Sequence, residues 1–177
     1  MNIQEYSTII EKTAVYPEKV DGFGICYAYL GIIGENREYL EELNKFMSNG
    51  NNKEALIKEA GDVCWYVTLM AQKLHLNLNK IFTYNQEVVD NIVNVGDSED
   101  LDSIAENLKK HYRDNKPIDT EKVERVLIWL MSRILGDFKF ISEEIEEIKI
   151  EEVLKVNYDK LIRRRENNTI KGDGSNR

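Results

Sequence analysis

Four carboxylates have the types and spacing to do chemistry in this chain. Glu35 and Glu38 lie three apart, and so do Glu59 and Asp62. On a helix an i, i+3 pair leaves from one side, with Cβ atoms roughly 5–6 Å apart. Two antiparallel helices, each carrying such a pair, can turn four acids toward one spot. Hard cations such as Mg²⁺ take oxygen ligands and commonly keep waters and substrate phosphate oxygens in their remaining positions. The four acids would therefore make a magnesium site open to a triphosphate. Each pair also has a plainer reading. Glu35, Glu38 and Glu42 lie opposite an Ile33/Leu40 stripe and suit a solvated acidic face. Asp62 sits in Ala60-Gly61-Asp62-Val63-Cys64-Trp65-Tyr66-Val67, apolar on nearly every side, so it is expected to be at least half-buried. A buried charge is costly unless paired or bound to metal, and the alternative for Asp62 is a salt bridge to a Lys or Arg of another helix.

Basic groups stand near the other end of the chain. Lys160 and Arg164, four apart, can share one helical face, with Asn157 a turn earlier. Arg offers a planar fork to phosphate oxygens and Lys a compact point charge. An ordinary basic helix end, favoured by the helix dipole, is the alternative. Gly172-Asp173-Gly174, bracketed by Lys171 and Arg177, can bend and bring backbone N–H groups close to a phosphate. A polar chain end would look the same. His75 and His111 have no metal-ligand company. Trp65, Tyr66 and Trp129 lie on apolar helical faces and read as core, although Trp65 and Tyr66 are close enough to Asp62 to stack on a base. No Ser/His/Asp or Cys/His nucleophile set stands out, and neither does a P-loop.

Helices must position these groups. One is expected over about residues 3–13, followed by a loop at Pro17, Gly22 and Gly24. A second, over about 25–47, puts Cys26, Tyr29, Leu30, Ile33, Leu40, Leu43 and Met47 on one face. Ser48-Asn49-Gly50-Asn51-Asn52 breaks it, and a third helix follows over about 53–74. A fourth is expected from Leu78 to about Ile92, and residues 97–117 are polar with room for one helix. Asp119-Thr120-Glu121 reads as the start of a helix carrying Val123, Val126, Leu127, Leu130, Ile134 and Leu135. The last spans about 150–165, and 166–177 is a polar tail. Nothing alternates with period two, so the expected architecture is an all-α bundle.

A chain of 177 residues buries enough surface to fold without disulfide or structural metal. Cys26 and Cys64 lie separately in apolar runs and read as reduced residues of an intracellular protein. The start of the chain lacks signal-peptide character, and the longest largely apolar stretch, residues 60–71, is too short to span a bilayer. A net charge of −8 argues against general nucleic-acid binding. Residues 160–177 carry a net +4, leaving −12 on the rest. An acidic body with a basic tail can bring metal and phosphate together, and a solvated terminus is the simpler reading.

The order Glu35-x-x-Glu38, twenty residues, then Glu59-x-x-Asp62 resembles the signature of MazG-type nucleoside-triphosphate pyrophosphohydrolases and of the related all-α dimeric dUTPases. The flanks Thr13-Ala14-Val15-Tyr16-Pro17, Tyr29-Leu30-Gly31-Ile32-Ile33-Gly34 and Ala60-Gly61 through Tyr66 are similar too. Asn157-x-x-Lys160-Leu161-x-x-Arg164 and Ile170-Lys171-Gly172-Asp173-Gly174-x-x-Arg177 resemble the tail of the phage and bacterial MazG-like subgroup. The likeness covers about residues 1–90 and 148–177. The stretch of about 93–147 has no counterpart and reads as a helical insertion within one domain, 1–177. Asn36 and Arg37 depart from the small residues usual between the first two glutamates, Asn168 from a common Gly and Ser175 from a common Asp.

The resemblance implies a MazG-like helical bundle. It implies Mg²⁺, with Mn²⁺ as a substitute, held by Glu35, Glu38, Glu59 and Asp62. A metal-activated water would cut a (deoxy)nucleoside triphosphate to monophosphate and pyrophosphate, with Glu38 as the proton acceptor. Asn157, Lys160, Arg164, Lys171, Gly172, Gly174 and Arg177 would bind substrate, the tail 166–177 closing over phosphate. A cytoplasmic homodimer or homotetramer, with no nucleic-acid or membrane partner, is expected. The competing expectation is a catalytically inactive helical interaction protein that keeps the fold.

Overall fold

The computed structural model describes residues 1–16, 22–50, 52–88, 101–144 and 147–169. Regular structure among them is helical, with no strand, and the protein is all-α. Helix α1 (Ile3–Ser7) opens with a capping box. The Glu5 N–H donates to Asn2 Oδ1 at 2.9 Å and the Asn2 N–H to Glu5 Oε2 at 3.1 Å. Instead of one helix over 3–13, the chain turns at Thr8 and restarts as α2 (Ile10–Thr13). The Ser7 and Thr8 hydroxyls both donate back to carbonyls three residues earlier, at 2.8 Å, which competes with a continuous helix.

Helix α3 (Phe23–Asn49) runs two residues beyond the expected span at each end. It ends at Gly50, whose φ of 64° is the left-handed C-cap that glycine adopts without strain. Helix α4 (Lys53–Lys73) returns antiparallel, with the turn fastened by Glu42. That carboxylate accepts from Asn52 Nδ2 at 3.2 Å and pairs with Lys45 at 2.5 Å. Helix α5 (Leu78–Ile81), N-capped by Asn77, stops at Phe82, and residues 86–88 are helical again, so the span expected to Ile92 is interrupted at 82–85. Residues 89–92 of that expectation lie outside the described residues. Helices α6 (Leu101–Asp114), α7 (Thr120–Glu144) and α8 (Ile150–Glu166) follow. Asp119 accepts from the Lys122 N–H at 3.0 Å and so caps α7.

The chain forms two compact units. One comprises Met1–Leu69 with Lys149–Arg177, the other Met70–Ile148. The second takes in the end of α4 and all of α5 as well as the stretch without a family counterpart. In the first, α1 packs on α8, with Tyr6, Val153 and Leu154 buried. In the second, α5 and α6 pack on α7 around Ile81, Ile104, Leu127 and Ile134. Among the described residues no helix is long and apolar enough to cross a membrane.

One sequence reading of α3 is corrected. Its buried line is Ala28, Ile32, Tyr39 and Phe46, whereas Leu30, Ile33 and Met47 of the expected face are 67, 38 and 44 % exposed. A small residue decides this. Gly31 lets the Tyr66 ring of α4 approach, so the side carrying it is packed and Leu30, Ile33 and Met47 face outward.

Candidate functional site

The hairpin of α3 and α4 brings the acids together through one close approach. A Cβ on Gly31 would stand 2.1 Å from Tyr66 Cε1, so only glycine leaves room for the ring that crosses there. Tyr66 meets Tyr27 at 5.7 Å between centroids and Trp65 edge-on at 4.7 Å. Trp65 is buried and donates from Nε1 to Thr13 Oγ1 at 3.0 Å, tying α2 to α4. Farther along α3 the same antiparallel register sets Glu35 and Glu38 opposite Glu59. One carboxylate oxygen from each lies within 4.8 Å of the others.

Asp62 stands beside this trio, held from α8. Lys160 Nζ donates to both its oxygens, at 2.5 Å to Oδ2, and Asn157 Nδ2 donates to Oδ1 at 2.7 Å. The half-buried carboxylate expected here is found, its side chain 22 % exposed and that of Lys160 15 %. Asn157 is itself buried, and its Oδ1 accepts from the Tyr6 hydroxyl at 2.7 Å. Gly61 permits the approach of α8, since a Cβ there would lie 2.8 Å from Asn157 Cβ.

The electrostatics follow from this crowding. Burial pushes the Glu35 carboxyl up from 4.5 to about 7, with Asp62, Glu38 and Glu59 adding to the rise and Lys160 opposing it. Glu59 is raised as well, first by burial and then by Asp62, while Lys58 pulls the other way. The Tyr66 phenol is raised by burial and by its hydrogen bond with Tyr27, and Glu35 and Asp62 add to the effect. The aromatic wall therefore borders the acids. Arg37 pairs outward with Glu41 at 3.7 Å on an exposed surface.

Three clustered carboxylates, with Glu35 and Glu59 raised in proton affinity, are a donor set suited to a hard divalent cation. The structure brings together Glu35, Glu38 and Glu59, and next to them Asp62, Asn157 and Lys160. Arg164 follows one turn along α8, with its Nε buried and without a hydrogen-bond partner among the described residues. Lys171, Gly172, Gly174 and Arg177 lie outside the described residues. Sequence reasoning missed Tyr6 and Thr13. Tyr6 contacts a residue 151 positions away, and no local spacing signals that.

The chain is 29 % identical over 94 residues to the Gene 37 protein of Mycobacterium phage L5, an alignment taking in 48 % of this chain and 82 % of the phage protein. No family model matches the chain. No solved structure matches it.

Proposed function

We propose that the chain is a MazG-type pyrophosphohydrolase that cuts (deoxy)nucleoside triphosphates to monophosphate and pyrophosphate, using Mg²⁺ or in its place Mn²⁺. The observation that carries this reading is the convergence of Glu35, Glu38 and Glu59, with Glu35 raised to about 7 by burial and neighbouring acids. Such a cluster is unfavourable until a cation enters. A bound Mg²⁺ supplies charge neutralisation for triphosphate oxygens and lowers the pKa of water. Glu38, the exposed member of the trio, accepts the proton as water attacks the α-phosphorus. Lys160 and Arg164 bear on the phosphates, and Tyr66 is the ring offered to the base. The expected phosphate contacts of Lys171, Gly172, Gly174 and Arg177 fall on residues outside the described ones.

The same reading takes the protein to be cytoplasmic and a homodimer or homotetramer. The outward stripe of Leu30, Ile33 and Met47 supports self-association. Arg37 and Glu41 pair with each other on the exposed surface of the same helix. Gel filtration at several concentrations tests this. That stripe also favours a second reading, a helical interaction protein without activity. One experiment separates the two: pyrophosphate release from a panel of dNTPs and NTPs with Mg²⁺, beside Glu59→Ala. Release that the variant loses supports the enzyme. A folded protein that turns over none of the panel, with metal present, leaves the interaction protein.

A further inference from the structure

Asp62 has little left to give a metal. A carboxylate offers about four lone-pair positions, and here the Lys160 ammonium engages both oxygens while Asn157 takes a further position on Oδ1. The three-acid cluster that can surround an ion consists of Glu35, Glu38 and Glu59, without Asp62. Its orientation is fixed from behind. Asn157 is 1 % exposed and Tyr6 0 %, and the Tyr6 hydroxyl donates to the amide oxygen of Asn157 at 2.7 Å. That bond keeps the Asn157 N–H pointed at the carboxylate. A flipped amide would set oxygen against oxygen. Asn157 and Lys160, three apart on α8, thus grip Asp62 as one unit. Pulling Asp62 onto a metal would strand a mostly buried ammonium, a change that costs more than surface pairs return.

We propose that Asp62 is a positioning residue and not a metal ligand: held by the Tyr6–Asn157 pair, it anchors the Lys160 ammonium at the edge of the Glu35–Glu38–Glu59 cluster, where that ammonium meets the phosphates of the substrate. This rests on the nucleotide-hydrolysing reading above and departs from what the family resemblance assigns to Asp62. The cation is then held by three glutamates, and Asp62 acts on the substrate only through Lys160.

The test uses the full chain and two binding readouts besides turnover. Mn²⁺ affinity is measured from the electron paramagnetic resonance signal of the free ion, and inorganic pyrophosphate affinity by calorimetry with Mn²⁺ present. Asp62→Asn is expected to keep Mn²⁺ affinity within about threefold, whereas Glu59→Gln weakens it roughly tenfold or more. Asp62→Asn and Lys160→Met should each weaken pyrophosphate binding by about tenfold, and the double variant no further, because the two residues act as a unit. Tyr6→Phe deletes one oxygen and preserves packing, so it decides the matter if Asp62→Asn does not fold. Weaker pyrophosphate binding with unchanged Mn²⁺ affinity supports the proposal. Loss of Mn²⁺ affinity in Asp62→Asn equal to that in Glu59→Gln, or in Tyr6→Phe without an effect on pyrophosphate, overturns it and leaves the enzymatic reading standing. A wild-type protein that binds no Mn²⁺ overturns both.

Discussion

Glu35 and Glu106 are both helical glutamates, and their surroundings push their carboxyls in opposite directions. On α6 the acids settle their charge locally. Lys109, one turn on, holds Glu106 below its usual range, and Arg113 does the same for Asp114 through two bonds of 2.7 Å. On α3, Glu35 has burial and three other acids for neighbours, and Lys160, the cation that reaches it among the described residues, is engaged with Asp62. The difference teaches what each region is for. Solvated pairs at i, i+3 contribute little and require little. A half-buried cluster of like charge lowers stability, and folding by itself would favour amides there. Such an arrangement is what the proposed cation-dependent function calls for.

The contrast breaks most sharply in activity. Glu59→Gln is expected to lower Mg²⁺-dependent pyrophosphate release by roughly 100-fold or more, beyond the 10–100-fold typical of groups one step removed from a metal. Glu106→Gln should leave the rate unchanged. If both variants turn over alike, the two acid clusters do not differ in function.

Next in size is stability. Gly31→Val drives a side chain into the Tyr66 ring and should cost about 3 kcal/mol, read as a lower urea midpoint. An unchanged midpoint would show that α3 and α4 can separate without loss.

A smaller effect depends on pH. A folded-state value of about 7 for Glu35 against 4.5 in the unfolded chain means the folded state binds the proton more tightly. Stability from this group is present below 4.5, falls as pH rises toward 7, and stays low above it. Glu35→Gln should therefore gain about 1–2 kcal/mol at pH 8, after screening of a half-buried group is allowed for, and nothing at pH 4. Thermal unfolding at the two pH values checks this, and Mg²⁺ should stabilise the wild type more at pH 8 than at pH 5. A gain equal at both pH values would trace to packing instead.

The smallest effect belongs to the second unit. A Cβ on Gly136 would meet Tyr84 at an ordinary 3.4 Å, so Gly136→Ala should stabilise by about 0.5–1 kcal/mol through helix propensity alone. Destabilisation would mean that its glycine is as necessary as Gly31.

The sequence made the helices legible where periodicity ran long. The spans of α3, α4, α7 and α8 agree with the pattern to within two residues wherever a boundary was expected. Short elements were less legible, since side-chain hydroxyls and Asn caps outweighed periodicity at Ser7, Thr8 and Asn77. The packed face of α3 was misread because hydrophobicity ranks Leu30 above Ala28, whereas close helix approach ranks them the other way. At the site, i, i+3 spacing shows which acids share a side of one helix, and a stretch of apolar neighbours marks Asp62 as half-buried. A salt bridge from Asp62 to another helix is one of the two sequence readings, but neither signal names Lys160 as the partner or shows Tyr6 behind Asn157, because those contacts join segments 98 and 151 residues apart.

The two tryptophans fall one to each unit, Trp65 beside the acids and Trp129 on α7 under the Arg133 guanidinium. The molecule thus carries a separate optical reporter in each half. With Trp129→Phe, the remaining emission comes from an indole bonded to Thr13 and set edge-on to Tyr66, so it tracks the melting of the acid-bearing half alone. With Trp65→Phe it tracks the other. Superimposed curves would mean that the two halves melt as one cooperative block, and displaced curves would assign each its own temperature.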